Sequence, residues 1–213
     1  MAETTKRRGA REIMEISPVI PVVTIEDPET AVPMAQALVE GGISIIEVTL
    51  RTSSAAEALR RIVEEVPQMT AGAGTVLDPR QAEQALEVGA EFLVSPGLST
   101  ALSRWIDGAD VPFLAGVSDL GQVLEARDQG LTELKFFPAE PAGGTAYLKA
   151  IAAPVPDVVF CPTGGIGAAN APQYLGLGNV ACVGGSWLTP QEAVAAGNYP
   201  EITRRAREAV ALG

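Results

Sequence analysis

Lys135 lies in the middle of an apolar stretch and is the first residue of the sequence that could do chemistry. Leu134, Phe136 and Phe137 surround it in the segment ELKFF (residues 133–137), which predicts a buried strand. A charged ammonium in such a strand costs several kcal/mol unless it is paired. If the lysine is charged and paired with a carboxylate, it belongs to a salt bridge. If burial instead favours the uncharged amine, the lysine is a nucleophile that condenses with a ketone to a Schiff base.

The amino-acid composition restricts the groups that can assist this lysine. The sequence has no histidine, which excludes Ser-His-Asp and Cys-His triads and every metal site with histidine ligands. Proton transfer must therefore fall to Glu, Asp, Lys, Tyr or water. Schiff-base chemistry needs no metal ion, so it fits this composition, and we expect neither a metal nor another cofactor.

The charge and the cysteine content indicate where the protein works. A formal net charge of −11 disfavours nucleic acid as a partner. No apolar run approaches the roughly 18 residues of a membrane span, and the first residues lack the apolar core of a signal peptide. Cys161 and Cys182 form no disulfide framework and are expected as buried free thiols. We therefore expect a cytoplasmic protein without a membrane partner, in which the cluster Lys6, Arg7 and Arg8 begins a solvated helix.

Short β-rich runs alternate with Ala-, Leu- and Glu-rich segments along the chain. Several helical segments open with a capping signal, as at Asp27-Pro28 and Asp78-Pro79. Strands are predicted over residues 19–25, 44–50, 68–74, 91–95, 111–117, 133–137, 157–161 and 180–185. Helices are predicted near residues 28–41, 53–66, 78–88, 99–107, 118–129, 144–152, 168–176 and 200–211.

This alternation predicts an α/β fold, a closed (β/α)8 TIM barrel that occupies residues 1–213 as a single domain. The competing architecture is an open, doubly wound sheet, which usually has a glycine-rich turn after its first strand. Here the first strand is followed by EDPET (residues 26–30), which contains no glycine. We therefore favour the barrel, with an extra N-terminal helix near residues 7–16 at its lower end.

The alternation of side chains along a strand predicts which polar residues point into the barrel. In strand two, Ile46 and Val48 would face the helices, so Glu47 and Arg51 would point inward near the top, where active sites of such barrels lie. In strand six, the same argument turns Lys135 inward. Glu47 would then be its salt-bridge partner or its proton shuttle, and the residues alone leave both readings open. Phe137, Thr75 and Pro96 also fall at strand ends at this mouth.

Strands seven and eight end in glycine-rich segments. CPTGGIG (residues 161–167) and VGGSW (residues 183–187) each combine a glycine pair with a hydroxyl, from Thr163 and Ser186. Glycines let backbone N–H groups crowd around an anion, and these two loops form the recurring phosphate site of TIM barrels. The sequence therefore predicts phosphate binding here.

Six motifs follow one another along the chain: EVTLRT (47–52), GAGTV (72–76), SPG (95–97), KFFPAE (135–140), CPTGGI (161–166) and GGSW (184–187). Together they resemble the 2-keto-3-deoxy-6-phosphogluconate (KDPG) aldolases, over nearly the whole chain. The resemblance implies a class I aldolase on a (β/α)8 barrel, assembled as a homotrimer. It implies cleavage of KDPG to pyruvate and glyceraldehyde 3-phosphate in the Entner–Doudoroff pathway. It also implies cleavage of 4-hydroxy-2-oxoglutarate (KHG) to pyruvate and glyoxylate.

The resemblance implies roles for individual residues as well. Lys135 would form the Schiff base, and Glu47 would be the general acid and base. Arg51 and Thr75 would hold the pyruvyl carboxylate and neighbouring oxygens. Pro96 and Phe137 would wall the keto-acid pocket, with Thr163 beside it, and the phosphate would be held by Gly164, Gly165, Gly185 and Ser186.

One segment departs from the family pattern. In AGVSDLGQ (residues 115–122), Ala115 replaces a proline and Gln122 replaces the usual acid, which puts the local loop shape and the substrate preference in doubt. Two other functions are alternatives: a non-catalytic or engineered phosphosugar-binding barrel, and a metal-dependent phosphosugar isomerase or aldolase. The intact set of Lys135, Glu47 and Arg51 argues against the first, and the shortage of metal ligands argues against the second.

Overall fold

Eight parallel strands form the centre of the computed structural model, which describes residues 9–213. The strands are β1 (Val19–Val23), β2 (Ile45–Thr49), β3 (Thr70–Gly74), β4 (Leu93–Val94), β5 (Phe113–Val117), β6 (Glu133–Phe136), β7 (Val159–Pro162) and β8 (Val183–Gly185). Consecutive strands pair from β1 to β7, and β1 also pairs with β8. Isolated bridges from Phe160 to Val180 and from Thr163 to Gly184 close the remaining gap. The predicted (β/α)8 TIM barrel is confirmed.

Helices alternate with these strands and cover the outside of the barrel. They are α1 (Ala10–Met14), α2 (Ala31–Glu40), α3 (Ala55–Glu65), α4 (Pro79–Glu87), α5 (Thr100–Ile106), α6 (Leu120–Asp128), α7 (Gly144–Ile151), α8 (Ala171–Leu175), α9 (Gln191–Ala195) and α10 (Tyr199–Val210), with a 3₁₀ turn at Pro28–Thr30. Asp78 caps α4 as predicted, accepting a hydrogen bond from the backbone N–H of Gln81 at 2.9 Å. Within residues 9–213, no helix is both long and apolar enough to cross a membrane.

The helix before β1 is shorter than the predicted range of residues 7–16. It begins at Ala10 and ends at Met14, and it buries Ile13 and Met14 against the core. Ala10 lines a cavity together with Phe113 and Glu133, which begin β5 and β6, so the helix lies at the lower end of the barrel as expected. The described residues do not include the first two residues of the predicted helix (7 and 8) or the basic cluster at residues 6–8.

The short helix α9 was not predicted. It follows Pro190 and ends before Gly197, whose φ of +64° is left-handed. Five residues are too few to show a helical period, so Pro190 and Gly197 are the only signals that the sequence carries.

The segment AGVSDLGQ keeps an ordinary helix start despite its unusual residues. Asp119 caps α6, and the side-chain oxygen of Gln122 accepts hydrogen bonds from the backbone N–H of Ser118 at 2.8 Å and from its hydroxyl at 3.1 Å. Gln81 makes the same contact to the N–H of Leu77 at the start of α4. An amide oxygen accepts these bonds as a carboxylate would, so Gln122 can make the contacts of an acid at this helix start.

The apolar face of β6 packs against the helices and leaves the other face for the barrel interior. Phe136 is fully buried, stacks on Tyr147 of α7 with ring centroids 5.5 Å apart, and meets Phe160 of β7 edge to face. Because side chains alternate along a strand, this outward packing turns Lys135 inward.

Candidate active site

Lys135 and Glu47 meet inside the barrel. The Lys135 Nζ donates to Glu47 Oε1 at 2.9 Å and to Oε2 at 3.3 Å, reaching from β6 to β2. Their side chains are only 5% and 4% exposed. The structure therefore brings together the two residues that the strand patterns placed inside the barrel.

Gly74 of β3 makes room for this contact. A Cβ atom at Gly74 would lie 2.1 Å from Oε1 of Glu47, far inside van der Waals contact. Gly74 pairs with Thr49 on the neighbouring strand, so its missing side chain opens the space into which the Glu47 carboxylate extends. Gly74, the second glycine of the GAGTV motif, thus leaves the space in which the Glu47 carboxylate reaches the lysine.

The burial of this pair makes each group dependent on the other. A charge taken out of water is costly, and removing one partner would leave the other without compensation. The ring of Phe137 lies beside the pair, with its centroid 5.6 Å from Nζ of Lys135, and its π face favours a positive charge there. The result is a dry site in which a proton can pass directly between an amine and a carboxylate.

A cavity of about 510 Å³ lies at the carboxyl ends of the strands, and Phe137 lines it, whereas Lys135 and Glu47 are not among its lining residues. Its lining comes from the ends of β1 and β8 and from the segments after β2, β6, β7 and β8, so it lies at the mouth of the barrel. Seven of the predicted site residues line it: Arg51, Phe137, Thr163, Gly164, Gly165, Gly185 and Ser186.

Arg51 supplies the positive charge of this cavity. It is the only cationic side chain, and Glu192 the only acidic one, among the described residues that line it. Its Nε donates to the hydroxyl of Thr75 at 3.1 Å. Thr75 has a left-handed φ of 60°, which is strained for a β-branched residue, so the backbone after β3 holds this hydroxyl in a fixed place beside Arg51.

The hydroxyl of Thr163 has no partner within the described part of the chain. Thr163 is 7% exposed, and its Oγ1 makes no hydrogen bond there. Buried hydroxyls are nearly always hydrogen-bonded in proteins, so an unpaired one beside a cavity makes Thr163 a candidate for contact with a ligand oxygen.

The loop after β7 has the backbone that an anion site needs. Gly164 and Gly165 have φ values of +105° and +78°, a region that residues with a Cβ rarely adopt. Ser186 follows β8 on the other side of the same cavity. The helices behind these loops, α8 and α9, have only five residues each, so an anion here would depend on backbone N–H groups and hydroxyls more than on a helix dipole.

Pro96 is at the barrel mouth but not among the residues that line the cavity. Its carbonyl carbon would lie 2.2 Å from a Cβ atom at Gly116, and Gly116 pairs with Lys135. The loop after β4 therefore lies against β5, at the residue that pairs with Lys135.

Several cavity residues were missed by the sequence reasoning. Thr24 follows β1, and its hydroxyl lies 2.9 Å from that of Thr49. Thr189, Gln191 and Glu192 enter the cavity through α9 and the segment before it. The only signals for these three residues were Pro190, which precedes α9, and Gly197, which follows it.

The two cysteines are buried and free, as predicted. A hydrogen bond with Cys161, together with burial, raises the pKa of the Cys182 thiol, so this thiol stays protonated. Within residues 9–213, no group of three or more His, Cys, Asp or Glu side chains could hold a metal ion.

Comparisons with known proteins agree on one family. The family model described as KDPG and KHG aldolase matches residues 10–205. The KHG/KDPG aldolase of Escherichia coli K12 is 48% identical over 204 residues, which cover 96% of both chains. The 2-dehydro-3-deoxy-phosphogluconate aldolase of Dickeya dadantii is 47% identical over 205 residues, again 96% of both chains.

A solved structure extends this similarity to three dimensions. The KDPG aldolase from Legionella pneumophila superposes with a TM-score of 0.94 and is 42% identical, over 95% of this chain and 98% of that one. That enzyme was crystallised with pyruvate captured as a covalent carbinolamine intermediate.

Proposed function

Since the chain belongs to the KDPG and KHG aldolase family, we propose that Lys135 is its Schiff-base residue and that Glu47 is its general acid and base. The protein is a class I aldolase, a carbon–carbon lyase. It cleaves KDPG to pyruvate and glyceraldehyde 3-phosphate, and KHG to pyruvate and glyoxylate. The observation that carries the residue assignment is the buried contact of 2.9 Å between Lys135 Nζ and Glu47 Oε1.

Schiff-base formation needs a free electron pair on the amine. The ammonium proton of Lys135 passes to the Glu47 carboxylate, and the neutral Nζ then attacks the C2 carbonyl of the substrate. A carbinolamine forms, and the Glu47 carboxyl returns its proton to the new hydroxyl. This hydroxyl leaves as water, which produces a protonated Schiff base on Lys135.

Carbon–carbon cleavage uses the same carboxylate a second time. Glu47 takes the proton of the C4 hydroxyl, the C3–C4 bond breaks, and its electron pair moves into the Schiff base to form an enamine. The aldehyde departs, and Glu47 protonates C3 of the enamine. Attack of water on the resulting imine reverses the first steps and releases pyruvate and free Lys135.

Arg51, Thr75, Phe137 and Thr163 would hold the keto-acid end of the substrate. The guanidinium of Arg51 is suited to the carboxylate of the pyruvyl group, and it offsets the repulsion from a chain of net charge −11. The hydroxyl of Thr163 would donate to a substrate oxygen. Pro96 lies against Gly116, which pairs with Lys135, so it would wall the pocket near Lys135.

The two glycine loops would hold the phosphate of KDPG. Gly164, Gly165, Gly185 and Ser186 line the cavity that Arg51 also lines, and backbone N–H groups of such loops can surround an anion. A site made of neutral groups leaves no unpaired charge when the substrate has no phosphate, which is consistent with activity on KHG.

The assembly and the location of the protein are further proposals. We propose a homotrimer on the basis of the family resemblance. The two free cysteines support a cytoplasmic enzyme, because a reducing compartment keeps thiols free. We also propose that residues 1–213 form one barrel domain.

A pyruvate-release assay tests this function directly. The purified protein is expected to release pyruvate from both KDPG and KHG, measured by coupling to a pyruvate-consuming dehydrogenase. EDTA is expected to leave both rates unchanged, because the amine and the carboxylate do the work that a metal would otherwise do.

The controls separate the alternatives. A protein that releases no pyruvate from either substrate, although it is folded, would be a non-catalytic phosphosugar-binding barrel. Activity that EDTA abolishes and a divalent cation restores would instead support a metal-dependent aldolase.

A further inference from the structure

Glu140 and Tyr174 form a contact that the catalytic mechanism does not use. The hydroxyl of Tyr174, on α8, donates a hydrogen bond to Oε1 of Glu140, in the loop after β6. Tyr174 is 1% exposed, whereas Glu140 lies at the surface. Burial, together with the hydrogen bond to Glu140, raises the pKa of Tyr174, so its hydroxyl stays protonated and remains a donor.

The side chain of Glu140 packs directly under the glycine loop. A Cβ atom at Gly165 would lie 2.7 Å from Cγ of Glu140, so only glycine fits above this side chain. The backbone N–H of Glu140 also donates to the carbonyl of Gly164 at 3.1 Å. Glu140 therefore touches both glycines of the loop, one through its backbone and the other through its side chain.

Asn170 fixes the far end of the same loop. Its Oδ1 accepts from the N–H of Gly167 at 2.8 Å, and its Nδ2 donates to the carbonyl of Gly165 at 3.1 Å. Asn170 is the N-cap of α8, and Tyr174 is the fourth of the five residues of this helix. The loop is thus held in two ways. Asn170 binds its backbone directly, and Glu140, which packs against Gly165, is itself hydrogen-bonded to Tyr174 of α8.

Neither Glu140 nor Tyr174 is among the described residues that line the cavity. We propose that they are positioning residues, which hold the loop of Gly164 and Gly165 in the shape that binds the phosphate of the substrate. They set the preference for phosphorylated over unphosphorylated 2-keto acids. This inference rests on the proposed function, because it assumes that the loop binds phosphate.

The test compares two substrates that differ in the phosphate. Tyr174→Phe is expected to raise KM for KDPG about tenfold, because the freed Glu140 no longer supports the loop, while kcat stays within about twofold. For KHG, which has no phosphate, both KM and kcat are expected to stay within about twofold of the wild-type values. Tyr147→Phe is the matched control, since it removes a hydroxyl from a tyrosine that stacks on Phe136 outside the barrel, and it should alter neither substrate.

Variants of Glu140 separate positioning from general damage. Glu140→Ala is expected to show the same split between the substrates as Tyr174→Phe, whereas Glu140→Gln keeps an acceptor for the tyrosine and restores most of the affinity for KDPG. Thermal unfolding midpoints verify that all variants are folded. Equal loss on both substrates, or no change on either, would overturn the inference, while wild-type protein without aldolase activity would overturn the proposed function instead.

Discussion

Lys135→Ala is expected to reduce kcat/KM for pyruvate release from KDPG by about four orders of magnitude or more. The variant lacks the only amine that we place in the barrel, so no covalent intermediate forms. The activity is measured by the coupled assay with a high enzyme concentration, which sets the lowest rate that can be detected.

The same substitution should also destabilise the protein. It leaves the carboxylate of Glu47 buried without its partner, at a cost of about 3 kcal/mol, measured by denaturant unfolding. Lys135→Arg keeps a positive charge beside Glu47 but has no amine that can form an imine. This second variant should therefore be inactive and yet more stable than Lys135→Ala. Wild-type activity in either variant would contradict the role of Lys135.

Glu47→Gln is expected to lower kcat by about 100- to 10,000-fold. The amide has nearly the same shape as the carboxylate and fits the space beside Gly74, but it cannot carry a proton between Lys135 and the substrate. Because Lys135 is retained, some Schiff base should still form. The expected signature is therefore slow turnover with a trappable adduct, measured by steady-state rates and by mass spectrometry after reduction.

Glu133→Gln is the matched control for this variant. Glu133 lies on the same strand as Lys135 but at the lower end of the barrel, where it accepts a hydrogen bond from the hydroxyl of Thr132 at 3.0 Å. Its substitution should leave kcat within about twofold. If both variants lost activity equally, the loss would be due to general damage to the barrel, and it would not support a proton-transfer role of Glu47.

The fold could be predicted from the sequence because local signals repeat along it. Each strand was expected where β-branched and apolar residues cluster, and a capping residue such as Asp78 marked the helix that follows. The exception is α9, which has only five residues and therefore no recognisable period, whereas the strand predicted over residues 91–95 is present as the shorter β4 (Leu93–Val94).

The candidate site could be predicted in part. Alternation along β2 and β6 turned Glu47 and Lys135 to the same side, and their contact across the barrel is present in the structure. The alternation of side chains along a strand predicts which way each one points, but not how much space it finds there. The space that Gly74 leaves for Glu47 and the left-handed backbone of Thr75 depend on how neighbouring strands align. The contact between Glu140 and Tyr174 joins residues 34 positions apart, which no local pattern encodes.

Borohydride reduction in the presence of pyruvate is the measurement that tests the role of Lys135 most directly. The chain has three lysines, Lys6, Lys135 and Lys149, so peptide mass spectrometry assigns an adduct without ambiguity. We predict complete loss of activity with a single reduced pyruvate adduct on Lys135 and none on the exposed Lys149. An inactivated protein with unmodified Lys135, or full activity with Lys135 modified, would contradict the proposed mechanism.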